Sequence, residues 1–261
     1  MRLTVKEIRS KKGREKIAVL TAYDFLTAGI LDEAGLDILL VGDSLGMVVL
    51  GYESTLPVTM RDMMHHTRAV CRAVKHALVV ADMPFGSYDT PERAVRNAKR
   101  FLQQAGADAV KVEGGRRIEA QVRALAAAGI PVMGHVGLTP QHASQLGGYK
   151  VQGRGDQAQE ILEDAVLLDK LGVFGVVLEC VPAKLAARIT EAVACPTIGI
   201  GAGPDTDGQV LVITDMLGLK GRVSPKFVRT YADLGDSIRQ AAVKYRGDVL
   251  KGKFPAAGES Y

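Results

Sequence analysis

One short unit recurs along this chain and constrains its fold more than any other feature. It is a helix-like segment, a glycine, and then a brief apolar run that ends in a polar residue. The unit reads Ala34-Gly35-Leu36-Asp37 before the run 38–41, and Ala105-Gly106-Ala107-Asp108 before the run 109–112. Weaker copies are Ala128-Gly129-Ile130-Pro131 and Leu171-Gly172-Val173-Phe174. Glycine just past a helix takes the left-handed conformation that ends it, so each copy marks a helix-to-strand turn. The runs that follow are apolar on both faces, as expected of parallel strands covered by helices.

Read throughout, the pattern gives eight strands, near 17–23, 38–43, 78–83, 109–113, 131–136, 174–179, 196–201 and 209–214. Helix-like segments lie between them, among them 60–76, 91–104, 118–128, 157–170 and 182–194. Alternation of strand and helix through the chain means a parallel α/β sheet. Eight units in 261 residues favour closure into a (β/α)8 TIM barrel, for which roughly 250 residues is typical. The expectation is one catalytic barrel domain over 1–261, with long loops after Gly46 and over 138–156.

Composition removes several classes. With 47% hydrophobic and 24% charged residues the chain can bury a large core, so disorder is not expected. A net charge of +4, no Trp and 5% aromatics leave no basic, aromatic-interleaved surface for nucleic acid. No run reaches the roughly 18 apolar residues of a membrane span. Residues 1–16 are basic without a signal peptide's apolar core, and they read as a solvated helix face. Three cysteines, Cys71, Cys180 and Cys195, have no framework spacing and suit a reducing cytoplasm.

The functional signal sits where the strands end. In a (β/α)8 barrel the active site lies at the C-terminal ends of the strands. Strand 1 ends in Tyr23-Asp24, strand 2 in Asp43-Ser44 and strand 3 in Asp82; strand 4 carries Lys111 and Glu113, strand 5 His135 and strand 6 Glu179. Taken alone, each Asp could equally be a helix cap or a turn residue. Together, Asp43, Asp82 and Glu113 supply the hard oxygens that Mg²⁺ demands. Three carboxylates with Lys111 leave two negative charges, which one divalent cation neutralises. Lys111 and Glu113 are two apart on a strand and share a face, as a rim salt bridge would also require. His135 is either a satisfied core histidine or part of the site. Glu179 follows an apolar run, and apolar surroundings would raise its pKa toward the range a general base needs. Its alternative is a charge emerging into solvent.

Other motifs fail. Gly199-Ile200-Gly201-Ala202-Gly203-Pro204 has proline where a dinucleotide fingerprint needs glycine, and reads as a tight backbone approach after strand 7. There is no phosphate-binding P-loop and no nucleophile elbow.

Six motifs, taken in order, resemble the ketopantoate hydroxymethyltransferase family. They are Val41-Gly42-Asp43-Ser44-Leu45-Gly46, Ala81-Asp82-Met83-Pro84-Phe85, Val110-Lys111-Val112-Glu113-Gly114-Gly115, Gly134-His135-Val136-Gly137-Leu138-Thr139-Pro140, Leu178-Glu179-Cys180-Val181-Pro182 and Ile198-Gly199-Ile200-Gly201-Ala202-Gly203-Pro204. Asp207-Gly208-Gln209-Val210-Leu211-Val212 continues the likeness. The resemblance implies a cytoplasmic enzyme of pantothenate and coenzyme A synthesis. It would transfer a hydroxymethyl group from methylenetetrahydrofolate to 3-methyl-2-oxobutanoate through a Mg²⁺-stabilised enolate. By the same resemblance Asp43, Asp82 and Glu113 would hold Mg²⁺, Glu113 directly or through water. Asp43, Ser44, Asp82, Lys111 and His135 would line the ketoacid site, and Glu179 would be the base. Tyr23 and the loop 138–156 are candidates for the folate pocket. A homo-oligomer, a decamer by resemblance, is implied too. The rival reading is a Mg²⁺-dependent 2-oxo-acid lyase or mutase of the isocitrate-lyase-like barrels, which shares the Asp-Ser and Ala-Asp strand ends. A non-catalytic metabolite-binding barrel would be expected to have lost some of these acidic ends.

Overall fold

All eight apolar runs are strands in the computed structural model, which describes residues 1–219 and 225–261. They are β1 Ile17–Thr21, β2 Ile38–Val41, β3 Leu78–Asp82, β4 Ala109–Glu113, β5 Val132–Gly137, β6 Gly175–Glu179, β7 Thr197–Ile200 and β8 Gly208–Leu211. Each pairs in parallel with the next, and β8 pairs with β1, so the sheet closes into a barrel in chain order. The helices are α1 Val5–Ser10, α2 Phe25–Glu33, α3 Leu45–Val48, α4 Met60–Ala73, α5 Pro91–Arg100, α6 Glu119–Ala127, α7 Gln157–Lys170, α8 Ala183–Ala192, α9 Ile213–Met216 and α10 Leu234–Leu250. The fold is the (β/α)8 barrel expected from the repeat.

Contacts divide the described chain into two units, Met1–Leu211 and Val212–Tyr261. The first contains the whole barrel. In the second, the main-chain amides of Tyr231 and Leu234 donate to the carbonyls of Met216 and Leu217. There α10 starts at the cap Asp233. The last strand, expected over 209–214, stops at Leu211, because β8 meets its partners on β1 and β7 only over Gly208–Leu211, and residues 213 and 214 begin the helical turn Ile213–Met216 instead.

The recurring unit acts as read, and its aspartate has a further role. Gly35 and Gly106 end their helical segments at φ +82° and +83°, a backbone open to glycine at no steric cost. The aspartate that follows then clamps the strand next door: Asp37 accepts from the amide of Ala18 at 2.8 Å, and Asp108 from that of Val79 at 2.9 Å. Helix starts obey ordinary capping chemistry, with Thr59 and Thr90 accepting from Asp62 and Arg93 main-chain amides.

The barrel interior follows the two-residue period of a strand. Ile17 and Val19, Ile38 and Leu40, Leu78 and Val80, Ala109, Met133, Val177, Ile198 and Val210 form one buried apolar cluster. The N-terminal helix closes its floor: Ile8 belongs to the same cluster, and Leu3 and Val5 pack against it. The basic residues here are therefore not simply solvated, as the sequence reading had them. Arg2 pairs with Asp108 at 3.2 Å, Lys11 with Asp37 at 2.8 Å and Lys12 with Asp207 at 2.8 Å. Charge patterning alone hides this, because the partners lie on loops far away in sequence.

Ile8→Ala should therefore lower the stability of the barrel by about 2–5 kcal/mol, the usual cost of emptying a buried aliphatic site. Denaturant melts would measure that loss. Turnover per folded molecule should be unchanged, since Ile8 lies at the end of the barrel away from the polar rim.

Candidate active site

Followed upward, the inward row of side chains changes character at the last one or two positions of successive strands. On β3 the order is Leu78, Val80, Asp82; on β4 Ala109, Lys111, Glu113; on β5 Met133, His135; on β6 Val177, Glu179. The register then sets neighbours side by side, with Asp82 opposite Lys111 and Glu113 opposite His135. On β2 the row reaches Gly42, where an added methyl would lie 2.7 Å from Ser44 Oγ and 3.5 Å from Asp82 Oδ2. The missing side chain keeps the top of the barrel open at that point.

Asp43, Asp82, Lys111, Glu113 and His135 are all buried. Lys111 Nζ donates to Asp82 Oδ1 at 2.7 Å, and the Asp43 amide donates to Asp82 Oδ2 at 3.1 Å. Burial would strip the Lys111 proton, but the charges of Asp82, Glu113 and Asp43 outweigh it and raise the pKa. Burial, and then the charges of Asp82 and Glu113, push the Asp43 carboxyl well above the usual carboxylate range.

His135 lies between two carboxylates. Its Nδ1 is 3.6 Å from Glu113 Oε1 and its Nε2 is 3.2 Å from Glu179 Oε2. Neither nitrogen is aligned for a well-directed hydrogen bond, so the contacts are ionic in character. Burial alone would lower the imidazolium pKa; Glu113 and Glu179 overcome it and lift the value to about 9. Glu113 in turn is held below its usual pKa against the cost of burial, chiefly by His135 and Lys111.

Glu179 differs from the rest of the row: its side chain is 16% exposed, against 1% for Glu113 and 2% for His135. The apolar setting inferred from its flanking run is not what its carboxylate meets, because His135 faces it. Val176 and Leu178 point to the other face of the strand, and Val177 lies one step below Glu179 in the inward row. The next residue, Cys180, has φ +48°, a left-handed conformation that costs a non-glycine residue roughly 1–2 kcal/mol. The turn aims the Cys180 carbonyl at the Gln152 amide, 2.8 Å away, which ties the long loop after β5 to the end of β6.

Ser44 and Tyr23 complete this end of the barrel, with Tyr23 Oη 2.9 Å from Ser44 Oγ. Tyr23 is buried, and it faces the ketoacid candidates. Asp24, by contrast, is a helix cap, accepting from the Thr27 amide at 2.9 Å. After β7, Gly203 serves close packing: a methyl there would come within 2.5 Å of Ala183 Cβ at the start of α8. The three cysteines are free.

Two buried residues were missed by the sequence reading. Gln141 donates through Nε2 to Asp43 Oδ2 at 2.8 Å and through its main chain to Glu113 Oε2 at 3.0 Å. Tyr88 donates to Gln141 Oε1 at 2.5 Å. Both lie in loops, where neither strand alternation nor a charge against an apolar run marks them.

Among the described residues no three His, Cys, Asp or Glu side chains close on one point as a protein cage would. The chemistry present still suits a hard divalent cation. Asp43 and Asp82 are adjacent oxygen donors, and a cation such as Mg²⁺ completes its shell with water and substrate oxygens. With all four carboxylates ionised, as a bound cation would keep them, Lys111 and a protonated His135 leave two negative charges.

A closed parallel barrel with a sealed apolar floor and converging buried carboxylates, lysine and histidine at its C-terminal rim is the architecture of a (β/α)8-barrel enzyme. The chain matches the ketopantoate hydroxymethyltransferase family over residues 2–257 and belongs to it. It is 60% identical to the 3-methyl-2-oxobutanoate hydroxymethyltransferase of Syntrophus aciditrophicus, covering 100% of this chain and 97% of the relative. With that of Thermobifida fusca it shares 57% identity over 100% of this chain and 94% of the relative. Among solved structures it resembles a phosphonopyruvate hydrolase complexed with oxalate and Mg²⁺, at TM-score 0.65 and 13% identity, covering 98% of this chain and 93% of the other. An oxaloacetate acetylhydrolase aligns at TM-score 0.63 and 18% identity, over 93% and 86%. At such identities these structures bear on the fold alone. The full-length relatives support the transferase reading over the lyase or mutase.

The histidine has a measurable consequence for stability. Its folded pKa of about 9 lies above the ordinary 6.5, so the stabilisation it contributes is complete below about 6.5 and lost as pH rises through about 9. In buffer without divalent cations, urea-unfolding midpoints of the wild type should therefore fall across that window, and the fall should be reduced in His135→Gln. Equal slopes in the two proteins would remove His135 from the account.

Proposed function

We propose that the barrel rim catalyses transfer of a hydroxymethyl group from methylenetetrahydrofolate to 3-methyl-2-oxobutanoate, giving ketopantoate. The observation that carries this reading is the contrast at the rim. Asp43, Asp82 and Lys111 are buried and fixed to one another, while Glu179 is the partly exposed carboxylate of the same inward row. One set suits binding a 2-oxo acid; the other suits taking a proton from it.

Asp43 and Asp82 would hold Mg²⁺, with Glu113 acting on it directly or through water. When bound, Mg²⁺ would supply Lewis acidity to the keto oxygen as negative charge develops there. Lys111 would place a positive charge by the substrate carboxylate, and Ser44 a hydroxyl. Glu179 would take the C3 proton onto its carboxylate, a transfer that a positioned base typically accelerates about 10²–10⁴-fold. His135, 3.2 Å from Glu179 Oε2, would fix the direction of that carboxylate. C3 then forms its new bond to the methylene carbon; that carbon's two C–N bonds to the folate break, water supplies the hydroxyl, and the folate nitrogens take up the C3 proton and the remaining water proton, releasing tetrahydrofolate. Work in the cytoplasm and assembly into a homo-oligomer, a decamer, belong to the same proposal and rest on family resemblance.

Incubation with 3-methyl-2-oxobutanoate and Mg²⁺ in D₂O, followed by NMR, tests the first half of the reaction. The C3 proton should exchange, and EDTA should stop it. Glu179→Gln should slow it by about 10²–10⁴-fold with the ketoacid still bound. Full exchange in a folded Glu179→Gln protein would overturn the assignment. Addition of methylenetetrahydrofolate should then yield ketopantoate.

A further inference from the structure

Gln141 is 3% exposed and sits on the single turn Pro140–His142 that follows β5. Each polar atom of its side-chain amide has a partner. Nε2 donates to Asp43 Oδ2 at 2.8 Å and to the Met83 carbonyl at 2.9 Å, and Oε1 accepts from Tyr88 Oη at 2.5 Å. The Gln141 main-chain amide donates to Glu113 Oε2 at 3.0 Å, and the Glu113 amide donates back to Tyr88 Oη at 3.4 Å. One residue after β5 thus touches the segments that leave β2 and β3, and the last residue of β4.

The orientation of this amide is dictated by its partners. A main-chain carbonyl such as that of Met83 can only accept, so the NH₂ end must face it, and the same nitrogen then reaches Asp43 Oδ2. The oxygen end then faces Tyr88, which must donate. Tyr88 is suited to that role, since a phenol keeps its proton at neutral pH and its hydroxyl lies 2.5 Å from Gln141 Oε1. With the amide locked at both ends, Asp43 loses rotational freedom about its carboxylate. Groups that orient a metal's ligands typically change metal affinity or activity by about 10–100-fold when removed.

We propose that Gln141, oriented by Tyr88, is a positioning residue that presets Asp43 and Glu113 for a divalent cation. The proposal rests on the reading above that Asp43 and Asp82 hold that cation. Gln141 touches neither the ketoacid nor the base in this account; it acts through the carboxylates.

The test uses Mn²⁺ as the probe, with free Mn²⁺ followed by electron paramagnetic resonance during titration of the purified full-length protein. Gln141→Met keeps the side-chain length and the main-chain bond to Glu113, and removes the amide. It should weaken Mn²⁺ binding by about 10–100-fold, and the apparent Mg²⁺ requirement for turnover should rise by a similar factor. Saturating Mg²⁺ should restore much of kcat, which damage to the fold alone would not allow. Tyr88→Phe should weaken Mn²⁺ binding in the same direction but less. The double variant should bind no more weakly than Gln141→Met, because Tyr88 acts through Gln141. Unchanged Mn²⁺ affinity in a folded Gln141→Met protein overturns the proposal. If that variant does not fold, unchanged affinity in folded Tyr88→Phe overturns it instead. A wild type that binds no Mn²⁺ overturns the cation reading and the positioning role with it, and that failure shows in the first titration.

Discussion

Everything at the rim of this barrel depends on the two-residue period of its strands once they are closed into a ring. Closure leaves no free edge, so an inward position on one strand is surrounded by inward positions on its neighbours. An apolar row from Ile17 round to Val210 then seals the lower interior, with α1 as its floor. Any polar residue placed one step higher has protein below it and can face only its neighbours or the mouth. Asp82, Lys111, Glu113 and His135 occupy the last one or two inward positions of their strands, and the sheet register sets Asp82 beside Lys111 and Glu113 beside His135. The buried charges are a consequence of where the row changes, as much as of which residues were chosen.

Burial makes the arrangement interdependent. A lone buried carboxylate would take up a proton rather than stay ionised, and removing one member of a buried ion pair costs roughly 3–5 kcal/mol. Lys111 compensates Asp82, and His135 compensates Glu113 while also facing Glu179. Asp43 has no cation of its own among these contacts; its carboxylate is met by the neutral amide of Gln141. Asp43 is therefore the carboxylate that a divalent cation would keep ionised, with Asp82 beside it, and such a cation suits this side of the rim. Glu179 lies at the other side, opposite Gly137 in the register and partly open to solvent.

Strands and site were legible to different depths. A charge inside an apolar run is conspicuous, so Asp82, Lys111, Glu113, His135 and Glu179 could be picked out, and the strand period places them on one inward face. The repeat around Gly35 and Gly106 was equally readable, because a left-handed helix end has few solutions other than glycine. Gln141 and Tyr88 were not, since a loop has no periodicity and a neutral side chain there does not contrast with its surroundings. The basic N-terminus was misread for a related reason: ion pairs such as Lys12 with Asp207 join residues far apart in sequence, and nothing local announces them. The setting of Glu179 was misjudged because flanking residues on a strand point away from it, while its true neighbour, His135, comes from the adjacent strand.

The two ends of the barrel illustrate why one fold can carry many reactions. At the floor, aspartate clamps bind main-chain amides at the starts of strands, ion pairs tie the N-terminal segment to those aspartates, and apolar packing is continuous. Changes there alter stability with little reason to alter chemistry. At the rim, the same strands end in groups whose protonation and orientation depend on loops: the turn that carries Gln141, the segment with Tyr88, and Gln152 against the strained Cys180. Gln141 reaches back onto the carboxylates of Asp43 and Glu113 and holds one oxygen of each, Tyr88 fixes Gln141, and Gln152 holds the turn beside Glu179. Specific chemistry therefore needs the loops as well as the strand ends, and a barrel with similar strand ends but different loops would present those acids in another arrangement.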